Sequence, residues 1–462
     1  MAHALYDLII IGSGPGGYVA AARAAEIGFK TACIEKSPRM GGVCLNIGCI
    51  PSKALLDSSE HFEYSRTKLV EHGVNVDNVS LDLPRMMSRK NTIVENLTDQ
   101  VHTLLKSRKV EVVHGAARLI AADRVEVTTE KASQILSAKT ILLATGSEPA
   151  KVPGLPFDGK YIVSSTEALA FDTVPQHLVV VGGGYIGLEL GTVWRRLGAK
   201  VTVVEMLPLI ASSLDRQIGR MLQRLLEKQG MIFHLGTRVP QAEVIGKTVR
   251  VTLDVEGAQT RLECDKLLIA AGRKPLTSGL GLEEVGVKTD ARSGRIVVDA
   301  AYHTNISNIY AIGDLIDGPM LAHKASAEAR AVVDGLSGLY SEVNYDAIPS
   351  VVYTWPEAAS VGLTEEQLKE REISYHTSHF PFSGVGRALC LGAKEGFVKI
   401  LTHARTNRVV GVHIIGAHAS ELIAECTLAM EFGASAEDLA RTIHAHPTLS
   451  EGIQEAARPL MR

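Results

Sequence analysis

One motif occurs twice in this chain, and the duplication leaves few folds open. Residues 6–36 read as a buried strand (Tyr6-Asp7-Leu8-Ile9-Ile10-Ile11), a glycine turn (Gly12-Ser13-Gly14-Pro15-Gly16-Gly17) and an alanine-rich helix. A second strand, residues 31–34, then ends in Glu35. The first glycine of such a turn makes it tight, the second lets backbone approach a pyrophosphate, and the third lets helix pack on strand. The start of the helix offers unpaired N–H groups and the positive end of its dipole to the phosphates. Glu35 is placed to accept hydrogen bonds from ribose hydroxyls. A Gly-x-Gly-x-x-Gly run alone means little; here strand, helix and carboxylate all stand where a dinucleotide needs them.

The unit returns further along. His177-Leu-Val-Val-Val181 precedes Gly182-Gly183-Gly184-Tyr185-Ile186-Gly187, and residues 201–204 lead into Glu205. Gly28 and Gly198, Lys30 and Lys200, and Glu35 and Glu205 match at one constant offset. Two such units imply two dinucleotides held in juxtaposition. Glu205 also selects between them: a carboxylate there pairs with a free ribose 2′-hydroxyl and repels a 2′-phosphate. The residues that follow, Met206-Leu-Pro-Leu209, bring no arginine cluster, so NAD is expected rather than NADP.

A shorter echo joins Ile141-Leu-Leu-Ala-Thr145-Gly146-Ser147-Glu-Pro149 to Leu267-Leu-Ile-Ala-Ala271-Gly272-Arg273-Lys-Pro275. Each is an apolar strand closed by a glycine and a proline, where the chain can leave one domain for another. A chain of 462 residues is too long for one core. The expected division is 1–150 and 274–347 for the first nucleotide domain, 151–273 for the second, and 348–462 for a third. Residues 54–110 carry helical periodicity, 110–145 turn strand-like, and 235–270 alternate like a meander within the second domain. The strand of residues 304–314 ends in Gly313-Asp314, and an aspartate at that end of a parallel strand points into the ligand crevice. Leu321-Ala322-His323 opens the next helix. Beyond residue 348, strands are expected at 350–354, 396–401 and 409–416, and helices at 419–432 and 435–443. The fold class is α/β, with two Rossmann-like dinucleotide-binding domains and a C-terminal α+β domain.

Cys44 and Cys49 stand in Gly41-Gly42-Val43-Cys44-Leu45-Asn46-Ile47-Gly48-Cys49-Ile50-Pro51-Ser52-Lys53. A regular helix holds Cα atoms five apart at more than about 7 Å, beyond an unstrained disulfide. Close approach therefore needs a distorted backbone, which Gly41, Gly42 and Gly48 make cheap. The readings open at this point are a labile redox pair, two buried thiols, or half a zinc site. No second closely spaced Cys or Cys/His pair completes tetrahedral zinc, so no metal is expected. The other four cysteines, Cys33, Cys264, Cys390 and Cys426, read as unbridged thiols. Cysteine usage of this kind implies a reducing compartment, taken here as the cytoplasm. The N-terminal residues show neither a basic n-region nor a cleavage site, so no signal or transit peptide is expected. No apolar run approaches the roughly 20 residues of a membrane span. A net charge of −3 gives no footprint for nucleic acid or a membrane surface.

Two fingerprints flanking a Cys-x4-Cys, followed by Thr145-Gly146, Gly313-Asp314 and His444-Ala-His446-Pro447-Thr448-Leu-Ser450-Glu451, resemble the pyridine nucleotide–disulfide oxidoreductases over essentially the whole chain. Within that family the likeness is to the flavoprotein component of 2-oxo acid dehydrogenase complexes. The resemblance implies FAD in the first fold, its ADP half on Gly12, Gly14, Gly17 and Glu35, with Lys53, Gly115, Gly146, Asp314 and Ala322 lining the rest. Ser13, Gly16, Lys36, Gly42, Cys44, Thr145, Ser147, Leu321 and His323 join the cofactor-binding set. It implies NAD on Gly182, Gly184, Gly187, Glu205 and Gly272, with Tyr185, Ile186, Glu189, Val239, Ala271 and Arg273 beside them. Cys44 and Cys49 would form the redox-active disulfide, Cys44 facing substrate and Cys49 facing flavin. His446 would be the acid–base residue and Glu451 its orienting carboxylate, both reaching the disulfide of the other subunit of a homodimer. His444 reads as structural. Lys53 would favour reduced flavin electrostatically, paired with Glu189. The implied reaction is NAD-linked oxidation of a protein-bound dihydrolipoyl group. The implied partners are the lipoyl domain and peripheral-subunit-binding region of a 2-oxo acid dehydrogenase acyltransferase, or a glycine cleavage complex. Tyr185 stands where several relatives carry a smaller aliphatic residue, as a gate or as packing.

Overall fold

Leu8, Ile9, Ile10 and Ile11 are all buried, which a strand achieves only when both faces of its sheet are covered. In the computed structural model, which describes residues 5–461, this strand, Leu5–Ile11, is central to the first of two units. That unit runs to Ala54 and adds Pro84–Ala150 and Gly272–Val343. Its parallel strands lie in the order Glu111–His114, Thr31–Glu35, Leu5–Ile11, Ser133–Leu143 and Ile309–Ala311. The first half of Ser133–Leu143 pairs antiparallel with Arg124–Thr128, which pairs in turn with Ala116–Ala121. Register aligns Ile11 with Ile34 and Leu143, and Ala311 with Leu143. Gly12, Glu35 and Gly313-Asp314 therefore emerge along one edge, the edge where open α/β sheets bind ligands.

The glycines of the two fingerprints are required by contact, and the contacts repeat. Gly12 has φ +102°, and a Cβ there would stand 2.5 Å from the Ala144 carbonyl oxygen; one on Gly17 would stand 1.8 Å from that of Gly12. Gly182 has φ +112° with the Ala270 oxygen at 2.4 Å, and Gly187 would meet the Gly182 oxygen at 2.1 Å.

The second unit comprises Leu55–Leu83, Lys151–Ala271 and the chain from Asn344 onward. It contains a parallel sheet in the order Met231–His234, Lys200–Val204, His177–Val181, Lys266–Ile269 and Ile162–Val163. The expected meander is present as Arg238–Ile245, Thr248–Val255 and Ala258–Cys264. An antiparallel sheet follows in the order Ser350–Val352, Glu357–Gly362, Val409–Gly416, Phe397–His403 and Tyr375–Pro381. Helices Ala419–Glu431 and Ala436–Arg441 stand where the sequence places them. Three elements carry little sequence signal. Met231–His234 is four residues long; Glu357–Gly362 is held by pairing on both sides rather than by its own propensity; and Glu451–Ala457 is two turns packed by tertiary contact. Among the described residues no helix is long and apolar enough to cross a membrane.

One buried ionic group ties this unit internally. Lys399 Nζ lies 2.8 Å from Asp215 Oδ2 and 2.6 Å from Glu365 Oε2, with Asp215 fully buried. Asp215 Oδ1 also caps the Arg216–Lys228 helix by accepting from the Gln217 amide at 2.9 Å. Replacing Lys399 by Met leaves both acids without their shared cation. The expected cost is about 3–5 kcal/mol, read from urea unfolding. The hydrogen bonds from Lys369 and Lys399 hold the Glu365 carboxyl at about 2, below its usual 4.5. Its contribution is thus present above pH 4.5 and is lost as the pH falls toward 2. Stability followed by acid titration should fall through that window in the wild type, and less steeply in Lys399→Met.

Candidate active site

A helix cannot bring Cys44 to Cys49, and the chain breaks it. Gly42–Ile47 is one helix, Cys49–Thr67 the next, and Gly48 between them sits at φ −140°, ψ −116°. A Cβ on Gly48 would lie 2.8 Å from the Val43 carbonyl oxygen, so the break needs glycine. Asn46 Nδ2 donates to the Met40 and Gly42 carbonyls, each at 2.9 Å, and Ser52 Oγ donates to the Cys49 carbonyl at 2.9 Å. Cys44 is half-buried and Cys49 exposed; the two sulfurs share a hydrogen bond and are not covalently joined. That hydrogen bond, then burial, then the neighbouring charge of Cys49 push the Cys44 thiol up, while Lys53 pulls it down. Burial pushes Cys33 and Cys264 up to about 12, which marks them as inert thiols. Tyr18, to which the sequence assigned nothing, is close enough that charge on Cys44 adds to burial in raising its phenol.

This segment is docked on the first fingerprint. The Gly41 amide donates to the Ser13 carbonyl and to Ser13 Oγ, both at 3.1 Å, and a Cβ on Gly42 would stand 2.7 Å from Gly14 Cα. Ser13 in turn donates to Glu35 Oε2 from its amide (3.0 Å) and hydroxyl (2.6 Å), while Glu35 Oε1 accepts from the Ser37 amide at 2.8 Å. Glu205 does the same in the second fingerprint, accepting from the Gly183 amide at 2.7 Å and the Leu207 amide at 2.8 Å. Each carboxylate thus clamps its own turn, a task the sequence did not reveal.

The residues fit dinucleotides. Gly14 and Gly184 cap the helices Pro15–Glu26 and Tyr185–Arg196 with no side chain satisfying the helix start, and nothing lies within 4 Å of where a Cβ on either would stand. Both face open space lined by helix N–H groups, the cradle a pyrophosphate requires. Gly146 and Gly272 face open space as well. Gly16 packs toward Ile312, and the Gly115 amide donates to the Glu35 carbonyl at 2.9 Å. Lys36 is exposed, Ile186 and Val239 are half-buried, and Ala271 is exposed. Tyr185 Oη shares a 2.5 Å hydrogen bond with Ser213 Oγ.

Ser147–Pro149 and Arg273–Pro275 pair as an antiparallel ribbon. Thr145 Oγ1 donates to the Leu276 carbonyl at 2.7 Å. Arg273 donates to Ser147 Oγ (2.7 Å) and to its carbonyl (2.6 Å), and Ser147 Oγ donates to Asp314 Oδ2 at 2.5 Å. Burial lowers the Arg273 guanidinium, opposed by the charges of Asp314, Cys49 and Glu148. Leu321 caps the helix Ala322–Leu336, in which His323 is the second residue. In the other unit Glu189 is buried and accepts from the Tyr353 amide at 3.1 Å.

His446 and Glu451 meet. His446 Nδ1 lies 2.8 Å from Glu451 Oε1, and the Thr448 amide donates to Glu451 Oε2 at 2.9 Å. The histidine side chain is 78% exposed, so its second nitrogen is available to another molecule. The hydrogen bond from His446 is the first cause holding Glu451 below the usual carboxylate range. His444 is occupied at both nitrogens, by the Thr442 carbonyl and Glu425, and is built into the scaffold. Among the described residues no His, Cys, Asp and Glu cluster could hold a metal ion.

Comparison with known proteins agrees with this geometry. Residues 6–329 match the pyridine nucleotide-disulphide oxidoreductase family, and residues 348–457 its dimerisation domain. The chain is 49% identical to a mitochondrial dihydrolipoyl dehydrogenase of Pisum sativum, over 98% of this chain and 90% of that protein. It is 47% identical to the mitochondrial dihydrolipoyl dehydrogenase of Homo sapiens, over 97% and 89%, and 48% identical to a leghemoglobin reductase of Glycine max, over 98% and 87%. A crystal structure of LpdA from Mycobacterium tuberculosis superposes with a TM-score of 0.92 at 29% identity, over 98% of this chain and 100% of that one. The relatives overturn one expectation: those of pea and human are mitochondrial, which conflicts with a cytoplasmic reading. Buried thiols report a reducing environment, and the cytoplasm is not the only one.

Gly14→Ala tests the cradle. Its φ of −65° and ψ of −177° suit any residue and nothing crowds its Cβ. Thermal unfolding of the apoprotein should match wild type, while FAD affinity, read by flavin fluorescence, should fall roughly tenfold or more, the size of one lost backbone contact of about 1.4 kcal/mol.

Proposed function

The chain belongs to the pyridine nucleotide–disulphide oxidoreductases, FAD-dependent enzymes that act with NAD, and we propose that its substrate is a protein-bound dihydrolipoyl group. The observation that carries this is the helix break at Gly48, which sets Cys44 against Cys49 on a segment docked to the first dinucleotide turn. The enzyme is a homodimer through its dimerisation domain. We assign 1–150 and 274–347 to FAD, 151–273 to NAD and 348–462 to the dimer contact.

A substrate thiolate attacks Cys44 Sγ, the Cys44–Cys49 bond breaks, and Cys49 leaves as the thiolate. The second substrate sulfur attacks the mixed disulfide, Cys44 leaves, and the lipoyl ring disulfide closes. Two electrons and two protons have left the substrate; the electrons with one proton would pass on to NAD+ as a hydride equivalent, and the other proton to solvent. Bound FAD supplies the two-electron relay between dithiol and nicotinamide. His446 of the partner subunit takes the substrate thiol's proton. Its Nδ1–H, donated to Glu451, leaves Nε2 as the base and stabilises the imidazolium that forms. Lys53 stabilises negative charge near the pair. Glu205 sets the preference for NAD by repelling a 2′-phosphate. The partner is the lipoyl domain and peripheral-subunit-binding region of a 2-oxo acid dehydrogenase acyltransferase, or the corresponding protein of glycine cleavage.

Turnover with NADH or NADPH against lipoamide and glutathione disulfide tests the proposal. NADH with lipoamide should be fast and lost in Cys44→Ser; activity only with glutathione disulfide would overturn the substrate assignment. His446→Gln should lower lipoamide turnover by roughly 10²–10⁴-fold while NADH oxidation by ferricyanide persists.

A further inference from the structure

The most deeply buried ion pair of the first unit lies outside every role assigned so far. Lys324 and Glu328, one turn apart on the Ala322–Leu336 helix, have fully buried side chains, with Lys324 Nζ 2.9 Å from Glu328 Oε1. Both also grip one residue. The Gly313 amide donates to Glu328 Oε2 at 2.7 Å, and Lys324 Nζ donates to the Gly313 carbonyl at 3.1 Å. Gly313 has φ +72°, and Ala325 Cβ, one position along the same helix, would stand 3.2 Å from a Cβ built on it. Gly318 closes over the other side, since a Cβ there would lie 2.8 Å from Lys324 Cε.

A buried ion pair adds little stability over an apolar pair of the same size, so stability alone does not account for one here. What this pair does is geometric. It fixes the N–H and the C=O of Gly313 itself, hence the planes of both peptides flanking that residue. The second of those peptides carries Asp314, whose Oδ2 accepts from Ser147 Oγ at 2.5 Å. With one end of Asp314 set by its backbone and the other by Ser147 and Arg273, the carboxylate has little freedom left.

We infer that Lys324 and Glu328 are a positioning pair for Asp314, holding the Gly313 turn so that this carboxylate meets the cofactor in one orientation. This rests on the reading above that Asp314 lines the FAD site.

The test compares Lys324→Met, the double variant Lys324→Met/Glu328→Leu, and Asp314→Ala, each stripped of flavin and titrated with FAD. The single variant leaves Glu328 charged and unpaired, and should lose both thermal stability and FAD affinity. The double variant removes both charges and should regain stability while its FAD Kd stays about tenfold or more above wild type. Wild-type FAD affinity in a stable double variant would overturn the inference. If the double variant does not fold, Lys324→Met decides through a second ligand: FAD affinity lost with NADH affinity retained supports the inference, and equal loss of both overturns it. Asp314→Ala separates this from the underlying reading. If it binds FAD like wild type, Asp314 does not line the site and the inference falls with that reading.

Discussion

Two sulfurs five residues apart cannot meet within one helix, and much of the site follows from how the chain resolves this. One helix ends at Gly48 and another starts at Cys49, because only glycine fits against the Val43 carbonyl. The break would be a loose end if its flank were free. It is held instead through Gly41 and Gly42, whose backbones rest on Ser13 and Gly14. Ser13 is held by Glu35, at the end of a strand buried along its whole length. The chemistry of the pair thus hangs on a short chain of contacts that ends in the core of the first unit.

Duplication explains why the same physics serves both nucleotides. In each fingerprint a glycine at positive φ turns under the carbonyl of the residue just past a neighbouring strand, a second faces open space at a bare helix start, and a third packs under the first. Each terminal carboxylate closes the loop on itself through backbone amides. Such carboxylates are therefore structural before they are ligands. A carboxylate oxygen has two lone pairs, so clamping the turn leaves room to accept a ribose hydroxyl.

Much of this was legible because the governing constraints are local. Glycine spacing, strand-ending carboxylates and alternation in the meander are statements about neighbours in sequence, and they placed both parallel sheets. The His446–Glu451 contact was legible for the same reason, since only five residues separate them. What stayed hidden depends on distant partners. The strand Glu357–Gly362 has a poor β sequence and exists because Ser350–Val352 and Val409–Gly416 flank it. Arg273 joins Ser147 and Asp314 only because a ribbon returns the chain beside its point of departure. The compartment was misread because cysteine state reports redox environment and not address.

The central claim is that Cys44 and Cys49 alone of the six cysteines cycle between disulfide and dithiol. It is tested most directly by counting and mapping thiols in the oxidised enzyme before and after anaerobic reduction with one equivalent of NADH per flavin. Two new alkylated thiols, located by mass spectrometry at Cys44 and Cys49, with Cys33, Cys264, Cys390 and Cys426 unchanged, are the expected result. No new thiols, or new thiols elsewhere, would contradict the account.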